Sequence, residues 1–312
     1  MTFLAANTKK WLVRILLGIM ILVIALFLLV AIAFRLANET NGTLVSSGER
    51  RAYLLYVPAS YDPALPTPLV ISIHGYAEWP AHQAQISRWN NLADEYGFIV
   101  VYPSGTSFPL RWRTYGDPGS ETDPAPDIAF ITNLIDTLEQ EYNIDPNRIY
   151  ANGLSNGGGM SFVLACQLSE RIAAVGLVSG AYLYPWESCN PPTPVPAVVF
   201  HGTADEIVPF AGGSSAAFHL PFPAIPDWVD TLAGLNQCSG APVTLTPSGD
   251  VSGIAYPSCA ADVVFYTVAG GGHAWPGGEP LPEWITGRTT QDIDATRVMW
   301  DFFQQHPIEP TP

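Results

Sequence analysis

Basic residues are scarce in this chain, and they are concentrated at its start. Its 312 residues include 13 lysines and arginines against 28 aspartates and glutamates, a net charge of −15. No lysine follows Lys10, and the part after residue 35 holds nine arginines and all 28 acidic residues, a net charge of −19. Such a surface repels phosphate, so the composition argues against a nucleic-acid-binding protein.

One long stretch lacks charge altogether. Residues 15–34 are an uncharged run of 20 residues, almost all Leu, Ile, Val, Ala and Phe, which is long enough to cross a bilayer as a helix. Lys9, Lys10 and Arg14 precede the run, and only Arg35 follows it at once. The positive-inside rule then predicts a cytoplasmic tail at 1–14, a transmembrane anchor at 15–34 and a large domain outside the cytoplasm.

Two other interpretations of this run are open. It could be a signal peptide cleaved near Ala31-Ile32-Ala33, although its apolar region is long for that purpose. It could also be a helix buried in a globular core, which the apolar character on all sides and the basic flanks disfavour. The anchor and the signal peptide both place the following domain outside the cytoplasm, as membrane-anchored or as secreted protein. Contact with a membrane is expected only through this N-terminal helix.

Cysteine is also rare, and its spacing is not that of a metal site. The sequence contains no Cys-x-x-Cys pair and no Cys/His cluster, so no zinc site is expected. Its four cysteines allow three disulfide pairings, and an oxidising compartment favours disulfides. We predict the two local pairs, and free buried thiols are the alternative. The predicted pairs are Cys166–Cys189 and Cys238–Cys259.

Apolar residues make up 48% of the chain, which excludes disorder as its main state. We predict a tether at 35–50 and one catalytic domain at 51–312. Within the domain, short β-rich runs alternate with segments of helical periodicity, and Asp127 is a candidate N-cap. This order predicts an α/β fold with a mostly parallel sheet and helices on both faces. The predicted strands are 52–57, 69–73, 98–102, 148–152, 173–178, 197–200 and 263–268, and the predicted helices are 86–96, 128–142, one ending at 168, 228–235 and 293–303.

The segment Gly153-Leu154-Ser155-Asn156-Gly157 matches the pattern Gly-x-Ser-x-Gly. A predicted strand precedes it and an apolar helix follows, which is the setting of a nucleophile elbow. The glycines permit a tight turn, and the start of the helix supplies backbone N–H groups beside the serine. The alternative is a glycine-rich helix start with a capping serine. The sequence therefore predicts Ser155 as a nucleophile.

A serine hydroxyl needs a base, and on an α/β hydrolase the order along the chain is serine, acid, histidine. His273 follows three glycines beyond a strand, so its loop can carry the ring to the serine, and we predict it as the base. Asp205 lies beyond an earlier strand and is predicted to orient the histidine, with its neighbour Glu206 as the rival acid. His201 is predicted to have a structural role.

The remaining requirement is an oxyanion hole. The apolar run 69–73 ends in His74-Gly75, and the backbone N–H of the next residue, Tyr76, should face the developing oxyanion. Asn156 should supply the second N–H. His74 is expected to be a structural residue of the turn. Trp112, Trp275 and Trp284 are candidates for the lining of the substrate cleft, and buried packing is the alternative for each of them.

Together these motifs resemble the secreted poly(3-hydroxybutyrate) depolymerase and feruloyl esterase group of α/β hydrolases. The resemblance covers roughly residues 50–303, and it implies the same three residues as nucleophile, acid and base. It also matches the family's cysteines to Cys166 and Cys189. One departure is the bulky sequence 76–79, where many relatives have a cysteine or several glycines. The matching segments are 74–75, 144–158, 201–205 with 208–209, 271–277, and 294–303.

The resemblance implies an extracytoplasmic serine carboxylic-ester hydrolase that works through an acyl-enzyme and needs no metal or organic cofactor. Its partner would be a small or oligomeric ester substrate. A serine peptidase on the same fold is one alternative. A surface-anchored binding protein on a hydrolase scaffold without activity is the other, and the intact set of Ser155, Asp205 and His273 disfavours it.

Overall fold

The structure, a computed structural model, describes residues 2–115, 120–215, 218 and 221–309. The chain divides into two compact units, residues 1–39 and 40–312. The first is a single helix, α1, at Thr2–Ala37. Its segment Val13–Val30 has a mean hydropathy of 3.1, and its side chains are not buried. A helix of this length and composition fits either a membrane anchor or a signal sequence.

The second unit alternates strands with helices for most of its length. The strands are Gly42–Ser46 (β1), Glu49–Tyr56 (β2), Thr67–Ile73 (β3), Ile99–Pro103 (β4), Ile144–Leu154 (β5), Ala174–Val178 (β6), Ala197–Gly202 (β7), Gly213–Ser214 (β8), Pro221–Phe222 (β9), Val243–Thr244 (β10), Val251–Tyr256 (β11) and Val263–Val268 (β12). The α-helices are Pro80–Ser87 (α2), Trp89–Tyr96 (α3), Ala125–Glu141 (α4), Asn156–Gln167 (α5), Ile225–Leu235 (α6), Glu283–Thr286 (α7) and Ala295–Gln304 (α8).

In the described part of the chain, ten strands form one sheet in the order β1-β2-β4-β3-β5-β6-β7-β12-β11-β10. The six central strands, from β4 to β12 in this order, are parallel to one another. The strands at both edges are antiparallel. Central strands such as β3 and β6 are buried at every position, as expected for apolar runs covered on both faces. The predicted mostly parallel α/β sheet is confirmed.

Helices cover both faces of the sheet, and each face has its own core. On one face, α4, α5 and α6 pack their apolar side chains on the sheet around Phe130, Phe162 and Trp228. On the other, α2, α3 and α8 pack around Trp89 and Trp300. The loops that follow β3, β5, β7 and β12 all leave the same edge of the parallel sheet, because these strands run in one direction. Side chains distant in sequence can therefore meet there.

The structure differs from the sequence predictions in several places, and β11 at Val251–Tyr256 and the short helix α7 at Glu283–Thr286 were not predicted. The sheet begins within the predicted tether, because β1 at Gly42–Ser46 pairs with β2. The predicted helix 86–96 is two helices, α2 and α3, because Arg88 between them is left-handed, with φ 57°. Asp127 is not the N-cap of α4, which starts two residues earlier, and its carboxylate is fully buried.

Both predicted disulfides are present among the described residues. Cys166, near the end of α5, is bonded to Cys189, and Cys238, just after α6, is bonded to Cys259. Each closes a short loop, with sequence separations of 23 and 21 residues. The first joins α5 to the segment that follows β6.

Candidate active site

Ser155 occupies the turn between β5 and α5, with no residue between strand, serine and helix. Its φ of 57° and ψ of −120° form a backbone conformation that non-glycine residues rarely adopt. The N–H of Ser155 donates to the carbonyl of Val178 at 2.9 Å, and its own carbonyl accepts the N–H of Ala181 at 2.9 Å. β6 and the loop after it therefore hold the turn in this strained conformation.

The two glycines of the motif are required by packing. A Cβ atom on Gly157 would lie 2.6 Å from the carbonyl oxygen of His74 and closer still to that of Ile73. A Cβ atom on Gly153 would overlap the backbone of Gly157. Real Cβ contacts are not this short, so any side chain at either position would push the elbow away from β3.

Asp205 and His273 come together from separate loops, those after β7 and β12. The Nδ1 of His273 lies 2.8 Å from Oδ2 of Asp205, and both side chains are buried. The other carboxylate oxygen, Oδ1, accepts backbone N–H groups from Ile207 at 2.9 Å and Val208 at 2.8 Å. The carboxylate is thus fixed by its own loop, and it holds the imidazole by Nδ1 with Nε2 left to act on a proton.

A second imidazole shares this carboxylate. The Nε2 of His201 is 2.9 Å from the carbonyl of Val208 and 3.4 Å from Oδ2 of Asp205. A carbonyl only accepts, so Nε2 of His201 carries the hydrogen and can donate to both oxygens. Glu206, the rival acid, is exposed. The sequence predicted a structural role for His201, and in the structure its ring lies beside Asp205 and binds the carbonyl of Val208.

The contact between Asp205 and His273 shifts the pKa values of both groups. Burial by itself disfavours both charged forms, raising the pKa of Asp205 and lowering that of His273. The mutual attraction and hydrogen bond reverse both effects. The pKa of Asp205 is held far below its ordinary value, with His201 contributing, and the pKa of His273 is raised above its ordinary 6.5. Asp205 is therefore ionised at neutral pH, and its charge favours the protonated form of His273.

The two predicted oxyanion donors flank Ser155 from different elements. Tyr76 lies in the loop after β3, and Asn156 is the first residue of α5. Within the described ranges, no backbone or side-chain hydrogen bond uses the N–H of either residue. The first N–H groups of a helix have no partner within it, so the N–H of Asn156 is available to a ligand.

His74 is fully buried at the end of β3. Its Nε2 accepts the N–H of Gly105 at 2.9 Å, so the hydrogen resides on Nδ1, which lies 2.7 Å from the carbonyl of Gly75. Burial lowers the pKa of His74 to about 4, and the ring is neutral at ordinary pH. As predicted, His74 is structural: it connects the loop after β3 to the loop after β4.

A cavity of about 350 Å³ opens beside Ser155 and Asn156. Trp112 forms part of its wall, as the sequence allowed. The other two candidate tryptophans do not line it: Trp275 is buried and donates to Thr296, and Trp284 is 86% exposed. The wall is mostly apolar and aromatic. Its other apolar members are Tyr76, Tyr115, Ala181, Leu183, Val208, Phe218 and Phe222.

The side chain of Asn156 fixes one wall of the cavity. Its Oδ1 accepts the N–H of Trp112 at 2.7 Å, and its Nδ2 donates to the carbonyl of Trp112 at 3.1 Å. The indole N–H of Trp112 donates in turn to the carbonyl of His74 at 3.0 Å. Asn156, the residue after the predicted nucleophile, therefore lines the cavity beside Ser155 and binds the wall through its side-chain amide.

Asp127 anchors the same wall from behind. Its carboxylate accepts the N–H of Arg113 at 2.9 Å and pairs with the guanidinium of Arg51 at 2.9 Å. Arg51 is itself buried, donates to the carbonyl of Ser104 at 3.2 Å and stacks over the ring of Phe130 at 4.0 Å. Sequence reasoning missed these contributors, since nothing in their spacing links β2, α4 and the loop between β4 and α4.

This sheet order, with Ser155 at the turn after β5 and with Asp205 and His273 in the loops after β7 and β12, is that of an α/β-hydrolase fold. Residues 51–190 match the family described as esterase PHB depolymerase. The candidate esterase NocK of Nocardia uniformis subsp. tsuyamanensis is 30% identical over 288 residues, covering 85% of this chain and 83% of that protein. Feruloyl esterase C of Emericella nidulans is 27% identical over 275 residues, covering 85% of this chain and 87% of that protein.

A solved structure, the acetyl xylan esterase from Aspergillus awamori, has the same fold at 18% identity. Its TM-score is 0.55, and the match covers 72% of this chain and 89% of that one. The chain belongs to the family of PHB depolymerases and feruloyl esterases, as the resemblance of its motifs predicted, and it is a carboxylic-ester hydrolase.

Proposed function

We propose that this hydrolase uses Ser155 as nucleophile, His273 as general base and Asp205 as the acid that orients the histidine. The observation that carries the proposal is the 2.8 Å contact between His273 Nδ1 and Asp205 Oδ2, made at the edge of the sheet where Ser155 stands on its elbow. This contact keeps the hydrogen of the neutral imidazole on Nδ1. Nε2 is then the basic nitrogen that a serine hydroxyl requires.

In the proposed reaction, Ser155 attacks the ester carbonyl while Nε2 of His273 takes the hydroxyl proton. The resulting imidazolium, stabilised by Asp205, donates that proton to the departing alcohol, and an acyl-enzyme remains. A water molecule then attacks the acyl carbon with His273 again as base, which releases the acid and restores the serine. Asp205 stays ionised throughout, in agreement with its strongly lowered pKa.

The oxyanion of each tetrahedral intermediate would be bound by the backbone N–H groups of Tyr76 and Asn156. Both residues line the cavity, and both N–H groups are without a partner in the part of the chain that the structure describes. Preorganised donors of this kind contribute more to the transition state than to the ground state. Removal of one typically lowers kcat by about 10²–10³-fold.

The substrate proposed is an ester whose acyl group fits the cavity of about 350 Å³. The rings of Tyr76, Trp112 and Tyr115 line it, and Tyr76 meets Phe218 edge to face at 5.3 Å between ring centroids. Aromatic walls favour a flat aromatic acyl group by stacking. This supports an ester of the feruloyl type, named for the relative from Emericella nidulans, above a short acetyl ester.

The proposed location is outside the cytoplasm. Two disulfides are present in the described residues, and α1 carries an apolar segment behind Lys9, Lys10 and Arg14. Disulfides persist in oxidising compartments, and the basic flank favours a cytoplasmic N-terminus. Protease treatment of intact cells tests this: cleavage of the domain from the surface, or its recovery from the medium, is expected, and full protection inside intact cells would contradict it.

Ser155→Ala tests the mechanism. Hydrolysis of p-nitrophenyl esters and labelling by a fluorophosphonate probe should both be lost, while the circular dichroism spectrum and melting temperature stay close to those of the wild type. Ser252→Ala, at an exposed position in β11, is the matched control and should keep full activity. Wild-type turnover by Ser155→Ala would refute the mechanism, and turnover of aminoacyl p-nitroanilides rather than esters would indicate a peptidase.

A further inference from the structure

The loop after β3 contains a partly buried contact that the reaction scheme above does not use. The backbone N–H of Gly75 donates to Oε2 of Glu78 at 2.8 Å, and the N–H of Glu78 donates to the carbonyl of Gly75 at 3.3 Å. One residue therefore binds both polar groups of Gly75. The turn that contains Tyr76 is closed by this pair of hydrogen bonds.

The peptide group between Gly75 and Tyr76 is restrained further by its surroundings. Nδ1 of His74 binds the carbonyl of Gly75 at 2.7 Å, and the N–H of Ala77 donates to the carbonyl of Leu110 at 2.8 Å. Ala77 is left-handed, with φ 61°, a conformation that neighbouring contacts must maintain. Because a peptide group is planar and trans, the direction of the Gly75 carbonyl sets the opposite direction of the Tyr76 N–H.

The fit between Glu78 and Gly75 is close. A Cβ atom on Gly75 would lie 2.9 Å from Oε2 of Glu78, so the carboxylate occupies space that only glycine leaves open. The other oxygen, Oε1, lies 3.6 Å from Nδ1 of His82 on α2. Burial alone would raise the pKa of Glu78, but His82 and the N–H of Gly75 outweigh it, and the pKa is lowered. Glu78 is an anion near neutral pH.

We propose that Glu78 is a positioning residue of the active site: its carboxylate holds Gly75 so that the N–H of Tyr76 faces the oxyanion. This inference rests on the proposed function, because it acts through the proposed oxyanion donor. Glu78 is not among the described residues that line the cavity, and its side-chain contacts are with Gly75 and His82. Its effect should therefore appear in kcat, where oxyanion stabilisation acts, and much less in KM.

The charge of Glu78 has a second consequence. The titratable groups that interact with it are His82 from α2, His74 from the end of β3 and His273 from the loop after β12. At His273 its negative charge adds to that of Asp205 in raising the pKa. Removal of this charge should lower the pKa of His273 and move the acidic limb of the pH profile of kcat/KM to lower pH, because the imidazole then stays neutral in more acidic solution.

Two substitutions separate position from charge. Glu78→Asp keeps the charge but is one methylene shorter, so it should lose the hydrogen bond to Gly75. We expect kcat on p-nitrophenyl butyrate to fall about tenfold or more, a smaller loss than the roughly 10²–10³-fold expected when an oxyanion donor is removed. The acidic limb of its pH profile should not change. Glu78→Gln keeps an oxygen that can accept the N–H but loses the charge. It should retain most of kcat and shift its acidic limb to lower pH.

Glu279→Asp and Glu279→Gln are the matched controls, since Glu279 lies in an exposed ion pair with Arg88, and neither should change kcat or the pH profile. Wild-type kcat for Glu78→Asp would overturn the positioning role, as would an equal loss in the two Glu78 variants with no shift of the limb. Ser155→Ala separates the two proposals. If it is inactive while both Glu78 variants behave as wild type, only the role of Glu78 fails; if it is active, the proposed function itself fails.

Discussion

Asp205→Asn provides the sharpest test of how the proposed base is prepared. Oδ1 of Asp205 accepts two backbone N–H groups, from Ile207 and Val208, so an asparagine would keep its oxygen there and place its NH₂ group at the position of Oδ2. That NH₂ would donate to Nδ1 of His273, now 2.8 Å from Oδ2, and force the ring hydrogen onto Nε2. The imidazole would then have no free nitrogen to take the proton of Ser155.

The expected loss in kcat is about 10⁴-fold, the cost of the wrong histidine tautomer in a serine hydrolase, or about 5.5 kcal/mol of transition-state stabilisation. A second change follows from burial. Burial lowers the pKa of His273 and the carboxylate raises it, so without the carboxylate the pKa should fall and the acidic limb of the residual activity should move to lower pH.

The assay is kcat/KM for p-nitrophenyl butyrate from pH 4 to pH 9, with thermal unfolding to verify the fold. Glu206→Gln is the matched control: Glu206 adjoins Asp205, is exposed, and should leave the profile as in the wild type. Activity of Asp205→Asn within about tenfold of the wild type would refute the assignment of the acid. A large loss in Glu206→Gln instead would move that assignment to the neighbouring residue.

Two further substitutions probe the scaffold. Gly157→Ala should abolish ester hydrolysis and lower the free energy of unfolding by about 1–3 kcal/mol, because the added methyl group overlaps two backbone carbonyls at the end of β3; unchanged activity and urea midpoint would contradict this packing. Removal of the Cys166–Cys189 disulfide by double serine substitution should lower the free energy of unfolding by about 3 kcal/mol, given its separation of 23 residues. A urea midpoint equal to that of the wild type would contradict this.

The sequence predicted Ser155, Asp205 and His273 because the information for each is local. The glycines around the serine indicate a tight turn, and Asp205 and His273 lie in the loops after two apolar strands whose carboxyl ends share one edge of the sheet. The two disulfides were predictable for a similar reason, since each joins cysteines close in sequence. In all these cases short segments carry the constraint, and the parallel sheet assembles them.

Other features depend on contacts that no short segment records. Arg88 separates α2 from α3 by adopting a left-handed conformation, which arginine does not signal. Asp127 looked like a helix cap, yet its carboxylate is buried on the guanidinium of Arg51, 76 residues away in sequence. In the sequence, Glu78 stands out only as part of a departure from the family pattern. Its hydrogen bond with Gly75 depends on how the backbone folds there, which the sequence does not indicate.

The cavity wall is held at only a few points, and this determines where substitutions can change the preference of the enzyme for one acyl group over another. The segment from Ser104 to Thr114 is held at its two ends, by Arg51 at the first and by Asn156 and Asp127 at the second. Its tip, where Phe108 is 79% exposed, contributes nothing to the cavity lining. Exchanges at residues 107–109 should therefore leave the wall and the chemistry intact, whereas Leu110, whose carbonyl accepts the N–H of Ala77 in the loop after β3, has to keep its position. A library that alters which esters this enzyme admits should start instead from the cavity-lining positions Tyr115, Leu183 and Phe222.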